Sequence, residues 1–287
     1  MKKRLIQVIL VCALLFLVIG VESCPISGTG GQQQSKSGLD FSLIQGIGYF
    51  ASGLEFEQGE TFKVAVKIDN YDNIEKQGTI CVKDDKESVY GGASEDCKQF
   101  YVKAAEYNQN TFVKSASTEI YFPSEGEYSY HDIPIAQNAK LFVALSYVQH
   151  SLISGTVNVP DPVTEKLNLV QTSAPISASA DKTVSKQEDQ YKVNLGITLT
   201  KVSDPNLKIY TEDMRSENKA KFSAKLLPSY NLDCQQGIID FESTKLIKCS
   251  TLLSLEQVGY PFLINLDYGV IISKTFDFNI KAKEATA

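Results

Sequence analysis

Phe62-Lys63-Val64-Ala65-Val66-Lys67-Ile68 and Tyr191-Lys192-Val193-Asn194-Leu195-Gly196-Ile197 set large apolar residues at every second position. A strand points successive side chains to opposite faces, so this spacing buries one row and leaves the other to polar residues. The same alternation runs through Leu141, Val143, Leu145 and Tyr147, through Phe262, Ile264, Leu266 and Tyr268, and through Phe276, Phe278 and Ile280. Turn-forming clusters separate such runs at Asp69 to Asn73, Asp84-Asp85, Gly91-Gly92, Ser203 to Asn206 and Pro228 to Asn231. The pattern predicts an all-β chain. A short helix over Thr211 to Lys221 is the one helical expectation.

Pro160-Asp161-Pro162 is the expected joint between two domains, 39–160 and 163–284, because two prolines in three residues end a strand and stiffen a connection. The halves resemble each other at both ends. The two opening runs correspond, and Leu145-Ser146-Tyr147 corresponds to Leu266-Asp267-Tyr268. Thr156-Val157-Asn158-Val159 corresponds to Asp277-Phe278-Asn279-Ile280 at the same offset of 121. Halves of this length, built from short strands, point to two tandem immunoglobulin-like β-sandwiches: diverged repeats, as the matching ends favour, or two sandwiches of similar patterning, since the cysteine pairs do not align.

Residues 1–23 carry an export pattern. Lys2, Lys3 and Arg4 precede an unbroken apolar run from Val8 to Ile19, the layout of a signal peptide or membrane anchor. Val21-Glu22-Ser23-Cys24 resembles the lipobox of prokaryotic lipoproteins, which implies lipid attachment at Cys24. An uncleaved anchor and free secretion stay open beside it. Residues 24–38 are rich in Gly, Ser and Gln and read as a flexible tether. Cys81 and Cys97 stand 16 residues apart, and Cys234 and Cys249 stand 15 apart, one pair in each half. Outside the cytoplasm these read as two local disulfides, Cys81–Cys97 and Cys234–Cys249. Zinc is disfavoured, because neither pair has C-x₂₋₄-C spacing or a nearby histidine.

The formal net charge is −6; without residues 1–23, which hold Lys2, Lys3, Arg4 and Glu22, it becomes −8. An acidic body repels phosphate backbones, so nucleic acid is not an expected partner. Two histidines are present: His131 is read as a turn residue and His150 as lying between two strands. Neither G-x-S-x-G nor H-E-x-x-H occurs, so no enzyme activity and no cofactor are expected. Asp69, Asp72, Asp84 and Asp85 are the best candidates for a calcium site, set against a reading as solvated turns. Tyr121, Tyr128 and Tyr130 are candidates for a binding surface, since aromatic residues are enriched in recognition patches.

The stretch from Phe56 to Asn70 (FEQGETFKVAVKIDN) resembles the opening of archaeal cell-surface sandwich modules of the CARDB and S-layer-associated kind. That resemblance implies an envelope or adhesion role and supplies no catalytic residue. The expected function is a non-catalytic, extracytoplasmic protein held at the membrane by its N-terminus, with a structural, adhesion or docking role toward other envelope proteins. The alternative is a surface-presented protein that binds a glycan or small molecule.

Overall fold

The computed structural model describes residues 38–282, except 109–110, 160–163, 172–174, 228–229, 241 and 255–258. Residues 1–37, with the export segment and Cys24, lie outside the described residues, as does the Pro160-Asp161-Pro162 joint. The first half contains β1 (Leu39–Leu43), β2 (Glu55–Glu57), β3 (Thr61–Phe62), β4 (Val64–Asn70), β5 (Lys76–Asp84), β6 (Asp96–Val102), β7 (Glu106–Asn108), β8 (Thr111–Lys114), β9 (Ala116–Phe122), β10 (Tyr128–Ser129) and β11 (Gln137–Asn158). A single helical turn spans Glu87–Tyr90. The second half contains β12 (Glu165–Lys166), β13 (Val170–Gln171), β14 (Ile176–Gln187), β15 (Gln190–Lys201), β16 (Leu207–Tyr210), β17 (Lys219–Leu226), β18 (Tyr230–Asn231), β19 (Gly237–Asp240), β20 (Thr244–Ser254) and β21 (Gly259–Lys281). The fold is an all-β sandwich.

The apolar rows read from sequence are the core. Phe62, Val64, Val66, Ile68, Val193, Leu195 and Ile197 are all buried. In the first half, β1-β4-β9 form one sheet; in the second, β14-β15-β20 form its counterpart within a four-stranded sheet. The registers match: Phe41 faces Ile68 and Ile68 faces Thr118, as Ala180 faces Ile197 and Ile197 faces Ile247.

The opposing layer is shared. Its strand order is β18-β17-β21-β11-β5-β6, which reads as the same three-strand set from either edge. Ile80 of β5 faces Leu145 of β11, and Phe222 of β17 faces Leu266 of β21. At the centre, β11 and β21 pair antiparallel over their length, from Gln137↔Ile280 to Asn158↔Gly259. Val148 sits directly opposite Gly269, at the repeat offset of 121, so a pseudo-two-fold axis passes through that pair.

Each long strand therefore serves both halves. The N-terminal part of β11 pairs with β5 of its own half, and the C-terminal part of β21 runs beside it on the other side. Beyond the axis, β21 pairs with β17 and is flanked by the C-terminal part of β11. In immunoglobulin terms each long strand is F in its own sandwich and supplies G to the other. The aromatic core of the first half shows the consequence. Phe278, near the end of the chain, meets Phe50 edge-on at 5.0 Å and Phe56 at 5.9 Å, and β2 pairs in parallel with residues 279–281. The described residues accordingly form one compact unit spanning both sequence-defined halves.

Two local expectations change. His150 lies within β11, because the inward parity of Leu145 and Tyr147 continues through Gln149, Ser151 and Ile153. No helix forms over Thr211 to Lys221. Met214 and Asn218 have φ of 59° and 58°, incompatible with a right-handed helix, and Lys219 onward joins β17. Met214 instead covers the outer face at the axis. A Cβ on Gly269 would lie 2.3 Å from its Sδ and 2.9 Å from the Thr211 carbonyl oxygen, so a side chain there would displace both Met214 and the turn that carries it. Among the described residues no helix is long and apolar enough to cross a membrane.

Phe278→Ala should lower the stability of the whole body by about 3–5 kcal/mol. Urea denaturation followed by far-UV circular dichroism measures this. A loss below about 1 kcal/mol would mean that the first half closes its core without the final strand.

Candidate functional site

Both disulfides form. Cys81 and Cys97 are directly opposed across β5 and β6, so that bridge staples a hairpin. Cys249 lies on β20, while Cys234 lies between β18 and β19, and Asp233 pairs with Ser250 beside it. The second bridge thus ties the connection of one sheet to a strand of the other. Each closes a loop of about 15 residues, worth about 3 kcal/mol by loop-closure entropy. Two such bridges fit an oxidising, extracytoplasmic compartment.

The carboxylates considered for calcium are not brought together. Asp69 pairs with Lys67 at 3.0 Å. Asp85 accepts from the Lys140 backbone N–H at 2.8 Å. Asp84, at the end of β5, is buried and accepts from the backbone N–H groups of Lys86 (2.7 Å) and Ala93 (2.6 Å) and from the Tyr130 hydroxyl (2.9 Å). Burial pushes the Asp84 carboxyl above its ordinary pKa, and those hydrogen bonds oppose the shift. Gly92 makes room for this contact: a Cβ there would lie 2.3 Å from Asp84 Oδ2 and 2.2 Å from the Tyr130 ring. Among the described residues, no group of three or more His, Cys, Asp or Glu side chains is placed to hold a metal ion.

The candidate aromatic surface also divides. Tyr121 is exposed on β9, with its ring 6.0 Å from Tyr49. Tyr128 and Tyr130 are core residues. Tyr128 packs on Phe62, and Tyr130 stacks on Phe62 at 5.5 Å and also meets Phe56 and Phe278. Their inward parity beside β3, rather than the local density of tyrosines, decides their place.

The clearest concave feature lies on the outer face of the shared sheet, near the axis. It is a groove of about 780 Å³ lined by Glu75, Tyr101, His150, Glu212, Asp213 and Met214. His150 stands opposite Asp267 across the β11–β21 ladder, with its Nδ1 2.8 Å from Asp267 Oδ1. That contact orients the ring with Nε2 as the second polar atom. His131 packs in the turn against Gly91, apart from this groove. The carboxylates of Glu75, Glu212, Asp213 and Asp267 make the surroundings acidic.

Beneath the groove, on the inner face, lies a buried polar cluster that sequence reading missed. Lys76, the first residue of β5, points inward with a side chain only 3% exposed. Its Nζ lies 3.0 Å from Asp72 Oδ2 and donates to Gln149 Oε1 at 2.5 Å. The Tyr147 ring lies 5.8 Å away. Asp72 Oδ1 accepts from the Gly38 backbone N–H at 2.9 Å, and the Asp72 N–H donates to Asn70 Oδ1 at 3.0 Å. Asn70 Nδ2 in turn donates to the carbonyls of Ile74 and Lys103. Ser151 Oγ and the Tyr268 hydroxyl are 3.2 Å apart nearby. Burial pulls the Lys76 pKa down, and the Asp72 carboxylate opposes the shift. The signal for this cluster was present as parity: Lys76 precedes Ile80 and Val82 by even steps, and Gln149 follows Leu145 and Tyr147 by even steps.

No family model matches the chain, and no curated protein matches it. A solved structure with some likeness is Escherichia coli alpha-2-macroglobulin activated by porcine elastase, at 10% identity and a TM-score of 0.20. The match covers 86% of this chain and 22% of that one, and it is too slight to bear on fold or function.

Tyr130→Phe removes the hydroxyl that donates to the buried Asp84 carboxylate and should cost about 1.5–3 kcal/mol. Equilibrium denaturation at neutral pH measures it. Loss of less than about 0.5 kcal/mol would show that water or another donor satisfies Asp84 equally well.

Proposed function

We propose that the protein is a non-catalytic, extracytoplasmic envelope component, held at the membrane by its N-terminus, that docks or spaces other surface proteins through its fused sandwiches. The observation that carries this reading is the pair of disulfides in a body that follows an export-type N-terminal segment and a Gly/Ser/Gln-rich tether. The acidic surface agrees with a protein partner rather than a nucleic acid. Exposed aromatic and apolar side chains at Tyr107, Phe112 and Val113, on the small β7–β8 hairpin, provide a contact surface of the kind that protein partners cover.

The alternative, a protein presenting a glycan or small-molecule site, draws its support from the groove beside His150 and Tyr101. That groove is open, and its lining is about as polar as it is apolar. A small-molecule site is usually more enclosed and apolar. Docking is therefore the preferred reading.

Cross-linking on intact cells, followed by identification of the attached species, separates the two. Docking predicts recovery of another envelope protein linked through the folded body. Recovery of glycan or small ligand alone would contradict it. The intact mass of the same preparation reports the anchor: a lipid-bearing chain that starts at Cys24 is expected, and an unlipidated start beyond residue 23 would mean free secretion.

A further inference from the structure

We propose that Lys76 and Gln149 become joined by an intramolecular isopeptide bond, with Asp72 as the group that moves the proton. The proposal rests on the juxtaposition of an amine, a carboxamide and a carboxylate in one buried site. Lys76 Nζ lies 2.5 Å from Gln149 Oε1 and 3.0 Å from Asp72 Oδ2. A carbonyl bond is about 1.2 Å long, so the electrophilic Cδ of Gln149 is at most about 3.7 Å from the amine. This is close to the separation of about 3–3.5 Å from which oriented groups react.

The two side chains extend the β5–β11 ladder. The last paired position is Tyr147 opposite Gly78, and Gln149 and Lys76 are the next residues of like parity on each strand. They are held by the sheet rather than by their own flexible stems. Orientation of this kind replaces the encounter of two free groups and raises effective concentration by many orders of magnitude.

The surroundings favour attack over ion pairing alone. Desolvation favours the uncharged amine, which is the nucleophilic form. Lys76, Asp72 and Gln149 are all buried, so water has little access to compete for the carbonyl. Asp72 is fixed by the hydrogen bond from Gly38 and has its other oxygen on Lys76. Gln149 Nε2 donates to the His150 carbonyl at 3.2 Å, which fixes the orientation of the amide with its oxygen toward the amine.

The step balances without a co-reactant. Asp72 accepts a proton from the lysine ammonium, and the free amine attacks Cδ of Gln149. The Nζ–Cδ bond forms and the Cδ–Nε2 bond breaks. The proton held by Asp72 and the one shed by Nζ are the two available to Nε2 and to the carboxylate. Nε2 takes one and leaves as neutral ammonia; the other remains in the buried site or passes to solvent with the product. Nothing is oxidised or reduced.

The site is single. The position related to Gln149 by the repeat offset is Val270, which is buried and apolar. The second half therefore has no carboxamide in the corresponding place, and one bond per chain is expected. It would connect residues 73 apart in sequence and brace β5 against β11 beside the axis. The inference is independent of the docking role and stands or falls separately from it.

Mass spectrometry of the folded, full-length protein tests the bond. After reduction of the disulfides, the mass should fall below that of the linear chain with the same N-terminus by one ammonia. Proteolysis should release a branched peptide joining Lys76 to Gln149. Asp72→Asn should restore the full linear mass while leaving both reacting side chains present. The wild-type measurement decides the matter even where that variant fails to fold. A full linear mass, with Lys76 and Gln149 recovered on separate peptides, would overturn the proposal. Loss of one water in place of ammonia would overturn it too, because it would put the new bond on Asp72.

Discussion

The antiparallel pairing of β11 with β21 is the constraint on which the remaining architecture depends. Twenty-two residues of each strand are in register, from Gln137↔Ile280 to Asn158↔Gly259. A strand that ended at the axis would leave each sandwich with an open edge beside its F strand, and such edges invite pairing with other chains. Continuing straight on places that edge against the other half. The two halves thereby exchange their last strands within a single chain, as domain-swapped protomers exchange elements between chains. Phe278 belongs by sequence to the second half, yet it fills the aromatic core of the first.

The shared sheet also creates two environments that neither half has alone. On its outer face, Gly269 admits Met214, and the acidic groove opens beside the His150–Asp267 pair. On its inner face, Tyr147 and Tyr268 occupy corresponding positions of the two halves, and each is fully enclosed, with its hydroxyl pKa raised chiefly by burial. The symmetry then breaks. Gln149 faces Lys76 and Asp72, whereas Val270 continues the apolar row. Buried charges are costly unless paired and hydrogen-bonded, and this cluster meets that condition through Gly38, Asn70 and Gln149.

The strands of the outer sheets were legible because their apolar residues keep strict period two, as in Phe62 to Ile68 and Tyr191 to Ile197. The cysteine pairs were legible from their spacing together with the export pattern at residues 1–23. The long strands were not. Leu141 to Tyr147 and Thr156 to Val159 read as separate elements because polar Gln149 and Ser151 interrupt the apolar row between them. No proline lies in that interval, and inward parity runs through it unbroken. A polar side chain at an inward position reads like a loop when its partners are distant in sequence. Asp72 and Lys76 supply those partners from residues more than seventy positions away. The same blindness placed Asp84 in a solvated turn and Tyr130 on a surface, although they satisfy each other inside the core.

The shared sheet makes one cooperative unit of the two sandwiches. Native-state hydrogen exchange on the full chain, resolved to individual strands and measured across low denaturant concentrations, tests it most directly. The central amides of β5, β11, β17 and β21 should exchange only through one global unfolding, with a common free energy and a common denaturant dependence. Two groups of amides, with β5 and the first part of β11 opening at a different free energy from β17 and the first part of β21, would contradict it.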